Sequence, residues 1–171
     1  MNILAPRLRG CSWLDLFSGS GVMGCEALER GAQRIVAVEN NLSVADLCKR
    51  NLNSVKESCA SNASVEVIRR DCQSWVRQKK GECFDLVYLD PPYQTDLYTP
   101  ILANLAVGNL ISTSSLVICE HGSKQDLNAD DAWVTVDRRR YGTTGVLFLS
   151  LRERCHHGGT DSMPPRTDPK A

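Results

Sequence analysis

Apolar and polar positions alternate along the chain in two distinct rhythms. Trp13 to Phe17 is a short apolar run that reads as a buried strand. Ser18-Gly19-Ser20-Gly21-Val22-Met23-Gly24 then turns the chain into a helix reaching about Arg30, where Gly31 supplies a C-cap. Gln33 to Glu39 is a second strand, and Asn40 and Asn41 open a helix through about Val55. After a polar loop from Ser58 to Ser64, Val65 to Arg70 makes a third strand ending at Asp71. A short helix from Cys72 to Lys80 follows and Gly81 stops it. The fourth strand begins at Phe84 as Phe-Asp-Leu-Val-Tyr-Leu and breaks at Asp90-Pro91-Pro92-Tyr93. Leu97 to Leu110 has helical spacing, Leu116 to Glu120 is a fifth strand, and His121 to Asp131 is a polar connection. Trp133 to Arg139 and Thr144 to Leu151 are two more strands, joined by the turn Tyr141-Gly142-Thr143. Ahead of all this, Met1 to Leu4 reads as the end of a helix, leading through Ala5-Pro6 into the basic connection Arg7 to Gly10.

Strand and helix in alternation predict an α/β fold with a doubly wound, mostly parallel sheet of seven strands, Rossmann-like and ending in an antiparallel hairpin. Residues 1–151 form one domain. The segment 152–171 carries almost no apolar residues and holds Gly158-Gly159, Pro164-Pro165 and Pro169, so it is expected to be a disordered tail. The chain's 171 residues are enough for one substantial core and too few for two. Lys plus Arg equals Asp plus Glu, at 20 each, so any attraction to nucleic acid must come from a local patch. No apolar run approaches a membrane span and the first residues lack a secretion signal's apolar core, so a cytoplasmic location is expected. The eight cysteines are scattered without a C-x-x-C pair, which favours reduced structural thiols and gives no metal site.

The break at Asp90 changes the picture most. Pro91 and Pro92 cannot donate to a ladder, so the Asp90 carboxylate is delivered at a strand's carboxyl end on a stiff backbone with its carbonyls outward. A rigid row of acceptors suits an amino group, and Tyr93 offers a face on which a planar base stacks for roughly 1–3 kcal/mol. Gly19, Gly21 and Gly24 spell G-x-G-x-x-G after the first strand, with Glu39 about twenty residues on. Glycines there allow backbone amides to approach a ligand at a helix N-terminus. That pattern leaves NAD and S-adenosylmethionine both open, since each needs an acid for ribose hydroxyls. Asp15, within the first strand, tilts the balance toward a methionine moiety; its other reading is a buried acid capping loop amides. Asp71 is placed for an adenine amino group or as an N-cap for the helix at Cys72.

Asp15-x-Phe17-x-Gly19-x-Gly21, followed by Gly24, Glu26-Ala27, Arg30-Gly31-Ala32, Glu39 and Asp90-Pro91-Pro92-Tyr93, resembles the bacterial RsmD-type 16S ribosomal RNA guanine-N2 methyltransferases, which are class I S-adenosylmethionine-dependent enzymes. The match runs from Met1 to about Leu151. The resemblance implies a class I methyltransferase fold, S-adenosyl-L-methionine as cofactor, and 16S rRNA of the small ribosomal subunit as partner of a monomeric enzyme. By position it implies that Asp15, Gly19 and Gly21 hold the methionine end of the cofactor, Glu39 its ribose and Asp71 its adenine, with Phe17 and Cys72 in the same set. Asp90, Pro91, Pro92 and Tyr93 would hold the target base. The family's basic N-terminal arm and helix would precede Met1, with Met1 to Leu4 as that helix's last turn. Adenine-N6 methylation on DNA or RNA, an NAD-binding oxidoreductase, and an inactive cofactor-binding remnant are the competing readings. Arg138-Arg139-Arg140 beside Tyr141 is the best internal basic patch and reads as a solvated strand end, with phosphate contact as its alternative; His121 has a weak claim to function, and Trp75 and Trp133 are expected in the core.

Overall fold

The computed structural model describes residues 4–79, 81–92, 96–125, 127 and 129–153. The elements run α1 (Ala5–Leu8), β1 (Ser12–Leu16), α2 (Val22–Glu29), β2 (Arg34–Glu39), α3 (Leu42–Ser58), β3 (Ser64–Arg69), α4 (Cys72–Gln78), β4 (Leu86–Leu89), α5 (Tyr98–Val107), β5 (Leu116–Gly122), β6 (Trp133–Tyr141) and β7 (Thr144–Leu151). The strands form one sheet in the order β3-β2-β1-β4-β5-β7-β6. β1 to β5 are mutually parallel, and β7 is antiparallel to both β5 and β6. The predicted fold class is the one observed.

Because side chains alternate across a strand, each strand feeds two cores. Leu14, Leu16, Val36, Val38, Val87 and Leu89 face Trp75 of α4 and Ile101 and Leu105 of α5. Trp13, Ile35, Ala37 and Leu86 face Ala27 and Leu28 of α2 and Cys48 and Leu52 of α3. Each fully buried aliphatic side chain among these contributes about 1.5–3 kcal/mol. The same alternation sends Asp15 to the α2 face, beside apolar neighbours, where it is 2% exposed. Trp75 and Trp133 lie in the core as expected.

The observed bounds depart from the expected ones where polar residues belong to regular structure. Ala5–Leu8 makes a helical turn instead of a connection; Pro6 sits in that first turn, where its missing N–H costs nothing, and buried Leu8 anchors it. Phe84 precedes β4, its N–H donating to the Leu110 carbonyl at 2.8 Å. α3 runs on to Ser58. β5 and β6 extend through His121, Gly122, Arg140 and Tyr141, because the ladder to Thr144 and Gly145 is made by backbone groups whatever the side chains are. A register shift between Thr135 and Asp137 adds a bulge to β6. The expected last turn of a helix at Met1–Leu4 and the tail beyond Glu153 lie largely outside the described residues. No helix among the described residues is long and apolar enough to cross a membrane.

Candidate active site

The carboxyl ends of β1 to β4 meet along one edge of the sheet, and the turns that leave them build the site. After β1 the chain bends at Phe17, which has φ 61, a left-handed conformation that costs an aromatic residue about 1–2 kcal/mol. Contacts across the sheet hold it there. The Phe17 N–H donates to Cys72 Sγ at 3.3 Å, Cys72 Sγ donates to the Val38 carbonyl at 3.6 Å, and the Ser18 N–H donates to the same carbonyl at 3.1 Å. Burial pushes the Cys72 thiol up to about 12, so the proton it donates stays in place.

The three glycines do different work. Gly19, at φ 53, has no atom within 4 Å of where a Cβ would stand, so that side of the turn is open. A Cβ on Gly21 would stand 2.8 Å from Cys48 Sγ, and one on Gly24 3.0 Å from Leu52 Cδ2. These two let α2 press against α3 and the sheet. Glu39 ties the turn down from β2: its Oε2 accepts from the Gly19 N–H at 3.1 Å and its Oε1 from the Asn41 N–H at 2.9 Å. Asp71 Oδ1 accepts from the Ser74 N–H at 2.8 Å, so Asp71 is the N-cap of α4 while also facing the site.

Phe17, Gly19, Glu39, Asp71, Cys72, Asp90, Pro91 and Pro92 line a single crevice of about 360 Å³, within the range of small-molecule sites. Eight of the eleven residues singled out by sequence thus share one wall. Asp15 and Gly21 lie behind it, and Tyr93 falls outside the described residues. Asn40 and Leu97 complete the lining. Neither carries a sequence signal for a site: Asn40 reads as a helix opener and Leu97 as one of a helix's apolar positions.

The two buried or half-buried carboxyls differ in their surroundings. Burial pushes the Asp15 carboxyl up to about 7, against the pull of the nearby Gly24 amide and Trp13 indole. Neither closes on it fully: Asp15 Oδ2 and Trp13 Nε1 are both buried without a hydrogen bond. Asp90 is half-buried and takes no hydrogen bond among the described residues; burial and the neighbouring Glu120 carboxylate push it up to about 6. Glu120 is the functional neighbour that the sequence did not mark. It sits level with Asp90 because Leu89 pairs with Cys119, accepts the Tyr88 hydroxyl on Oε2, and accepts the Tyr98 hydroxyl on its backbone carbonyl.

The family model described as Conserved hypothetical protein 95 matches residues 1–150. The chain belongs to this family. The RsmD-type resemblance read from the sequence is therefore borne out at the level of the family. Among family relatives, Ribosomal RNA small subunit methyltransferase D of Haemophilus influenzae is 30% identical over 151 residues, covering 88% of this chain and 75% of that protein. The protein of the same name from Escherichia coli K12 is 28% identical over 161 residues, covering 94% of this chain and 77% of that protein. Among solved structures, HI0767 from Haemophilus influenzae superposes with a TM-score of 0.77 at 28% identity, covering 89% of this chain and 93% of that one. SMU.776, solved complexed with SAH, shares the fold at a TM-score of 0.66 and 12% identity, covering 87% of this chain and 48% of that one.

Within this family member the crevice sets acids and glycine at one end and a proline-stiffened acceptor at the other. The acidic end suits hydroxyls and an amine of a nucleoside; Phe17 and Leu97 offer apolar walls. Asp90, level with the same cavity and with no partner of its own among the described residues, is an acceptor in want of a donor.

Proposed function

We propose that this chain transfers a methyl group from S-adenosylmethionine to ribosomal RNA, and that the acceptor is the exocyclic N2 amine of a guanine in 16S rRNA of the small subunit. The names of the relatives support the first half. The observation that carries the reading is the placing of Asp90, unpartnered among the described residues, in one crevice with Gly19 and Glu39. The residues fit the cofactor: Glu39 for ribose hydroxyls, Asp71 for the adenine amine, and the open face of Gly19 for close approach of the methionine end. Asp15 lies buried behind the crevice with its Oδ2 unpartnered, so it supports the cofactor end from within the core and not as a lining residue. Bound there, S-adenosylmethionine supplies an electrophilic methyl carbon on a sulfonium.

The chain's own part is to make a poor nucleophile attack. An exocyclic guanine amine delocalises its lone pair into the ring. Hydrogen bonds from that amine to the Asp90 carboxylate and the Pro91 carbonyl turn it toward the donor, favour pyramidal nitrogen, and stabilise the positive charge that grows on it. As the new C–N bond forms and the C–S bond breaks, the amine is left with one proton too many, which leaves to Asp90 or to water. Ionised Asp90 is the form that accepts, and a carboxyl pushed up to about 6 is ionised at neutral pH. Taking the base out of its stack costs a few kcal/mol, which stacking on Tyr93 offsets in part.

The experiment is digestion of rRNA to nucleosides after incubation with the chain and methyl-labelled cofactor. Label in N2-methylguanosine is expected. Label in N6-methyladenosine would replace the guanine assignment, and protection against thermal unfolding by NAD but not by S-adenosylhomocysteine would overturn the methyl-transfer reading altogether.

A further inference from the structure

A second concavity, about 460 Å³, opens where β5 ends and the β6–β7 turn begins. Lys124, Arg138, Arg139 and Arg140 line it together with His121 and Ser123, and none of its described lining residues is acidic. In a chain whose formal charge sums to zero, that is a strong local concentration. The guanidinium groups are held by the chain's own oxygens. Arg138 Nη2 donates to the Leu127 carbonyl at 3.0 Å, Arg140 Nε to the Gly142 carbonyl at 3.3 Å, and Arg139 Nε to Asp137 Oδ2 at 2.8 Å. The carbonyl contact of Arg140 fixes its guanidinium's direction and leaves its charge and other donors to a ligand.

His121 marks this as a built site. The residue is 5% exposed, its Nδ1 lies 3.0 Å from the Gly122 carbonyl, and its Nε2 is buried without a hydrogen bond. An unmet buried polar atom costs about 1–3 kcal/mol. The ring is accommodated only because its neighbour across the ladder is Gly145, where a Cβ would fall 2.4 Å from His121 Cε1. The position is informative as well. Leu89 pairs with Cys119, so Asp90 is level with Glu120, the residue before His121. With strands about 4.8 Å apart, the cavity lies roughly one to three strand spacings from Asp90, along the same edge of the sheet.

We propose that this cavity binds the phosphodiester backbone of the RNA substrate and holds the strand beside the nucleotide presented to Asp90. The proposal rests on the reading of the crevice as an RNA methyl-transfer site. It makes the Arg138–Arg140 run part of a phosphate cradle and not simply the solvated strand end that its sequence suggests. Tyr141, 60% exposed and next along β6, offers an aromatic face to a base of the same strand.

The test is RNA binding by fluorescence anisotropy between 50 and 200 mM salt, using an oligonucleotide of arbitrary sequence, since phosphate contacts ignore sequence. The wild-type chain is compared with the double variant Lys124→Glu/Arg140→Glu. The variant is expected to bind RNA at least about tenfold more weakly, with the slope of log affinity against log salt flatter by about 1–2, as loss of two phosphate contacts on a single strand requires. Its affinity for S-adenosylhomocysteine is expected to stay within about twofold of wild type, which also reports that it folds. Unchanged RNA affinity and slope, or no RNA binding by the wild-type chain, would overturn the proposal. So would displacement of the RNA by millimolar inorganic phosphate at matched ionic strength, which would mark a free-anion site. Failure of the wild-type chain to bind S-adenosylhomocysteine while RNA binding stays sensitive to the double variant would instead sink the methyl-transfer reading and leave the phosphate cavity standing.

Discussion

The β1–β3 side of the sheet and the β4–β6 side present acids and bases to the same edge in opposite states of readiness. On the first side, the crevice carboxylates are already tied to the chain's own amides: Glu39 to Gly19 and Asn41, Asp71 to Ser74. Phe17 is locked in a costly conformation by a buried thiol. On the second side, Asp90 takes no hydrogen bond among the described residues and feels Glu120 beside it, while His121 Nε2 is buried unmet. The difference teaches a division of labour. A small ligand that binds the same way every time meets a preorganised wall; a large polymer supplies the partners that the other wall lacks.

The largest effect is expected from removing the acceptor. Asp90→Ala should lower methyl transfer by on the order of 10³-fold, read in a single-turnover assay with labelled cofactor. A loss under tenfold would mean that the second side does not carry the chemistry. Next comes Asp15, the exception to the tidy first side. Its folded carboxyl stands at about 7 against an ordinary 3.8, so as pH rises past about 4 the unfolded chain gives up this proton first. The folded state therefore loses stability progressively between pH about 4 and about 7, by about 4 kcal/mol in total for a group so buried. Asp15→Asn should abolish this slope in urea midpoints taken across that range; an unchanged slope would show that Asp15 is not the titrating group.

A smaller effect concerns pH and the second side. Transfer should be flat above pH about 6 and fall tenfold per pH unit below it, as Asp90 takes up its proton. Glu120→Gln should move that break toward lower pH, because burial is the larger cause of the raised value and Glu120 the second. The smallest contrast lies within the glycine turn. Gly24→Ala should cost about 1–3 kcal/mol of stability by overpacking against Leu52 and Ile35. Gly19→Ala should cost only about 1 kcal/mol for its left-handed backbone, yet weaken S-adenosylhomocysteine binding, since its methyl projects into the open side. Equal behaviour of the two variants in calorimetry and denaturation would erase the distinction between a packing glycine and a binding one.

Most of the first side, together with Asp90 of the second, was legible in the sequence because these signals are local. A glycine turn after a strand, an acid at the next strand's end and a Pro-Pro break each announce themselves within a few residues, and Phe17, Gly19, Glu39, Asp71 and Asp90 do meet in one crevice. Side-chain alternation, however, decides what a position can touch: it places Asp15 under α2 and not on the crevice wall. Gly21 looks like a ligand-approach glycine and is a packing one, because its partner Cys48 is 27 positions away in the sequence. The rest of the second side was harder. Glu120 and His121 gain meaning only from their register with β4 and β7, and the polar ends of β5 and β6 hide strand structure from any hydrophobic pattern.

The division itself is tested most directly by titrating S-adenosylhomocysteine into two variants by calorimetry, Asp90→Ala and Glu39→Ala. The account predicts a dissociation constant within about twofold of wild type for Asp90→Ala and at least about tenfold weaker for Glu39→Ala, which loses both a ligand acceptor and the tie to Gly19. Loss of binding in Asp90→Ala, or full retention in Glu39→Ala, would contradict it.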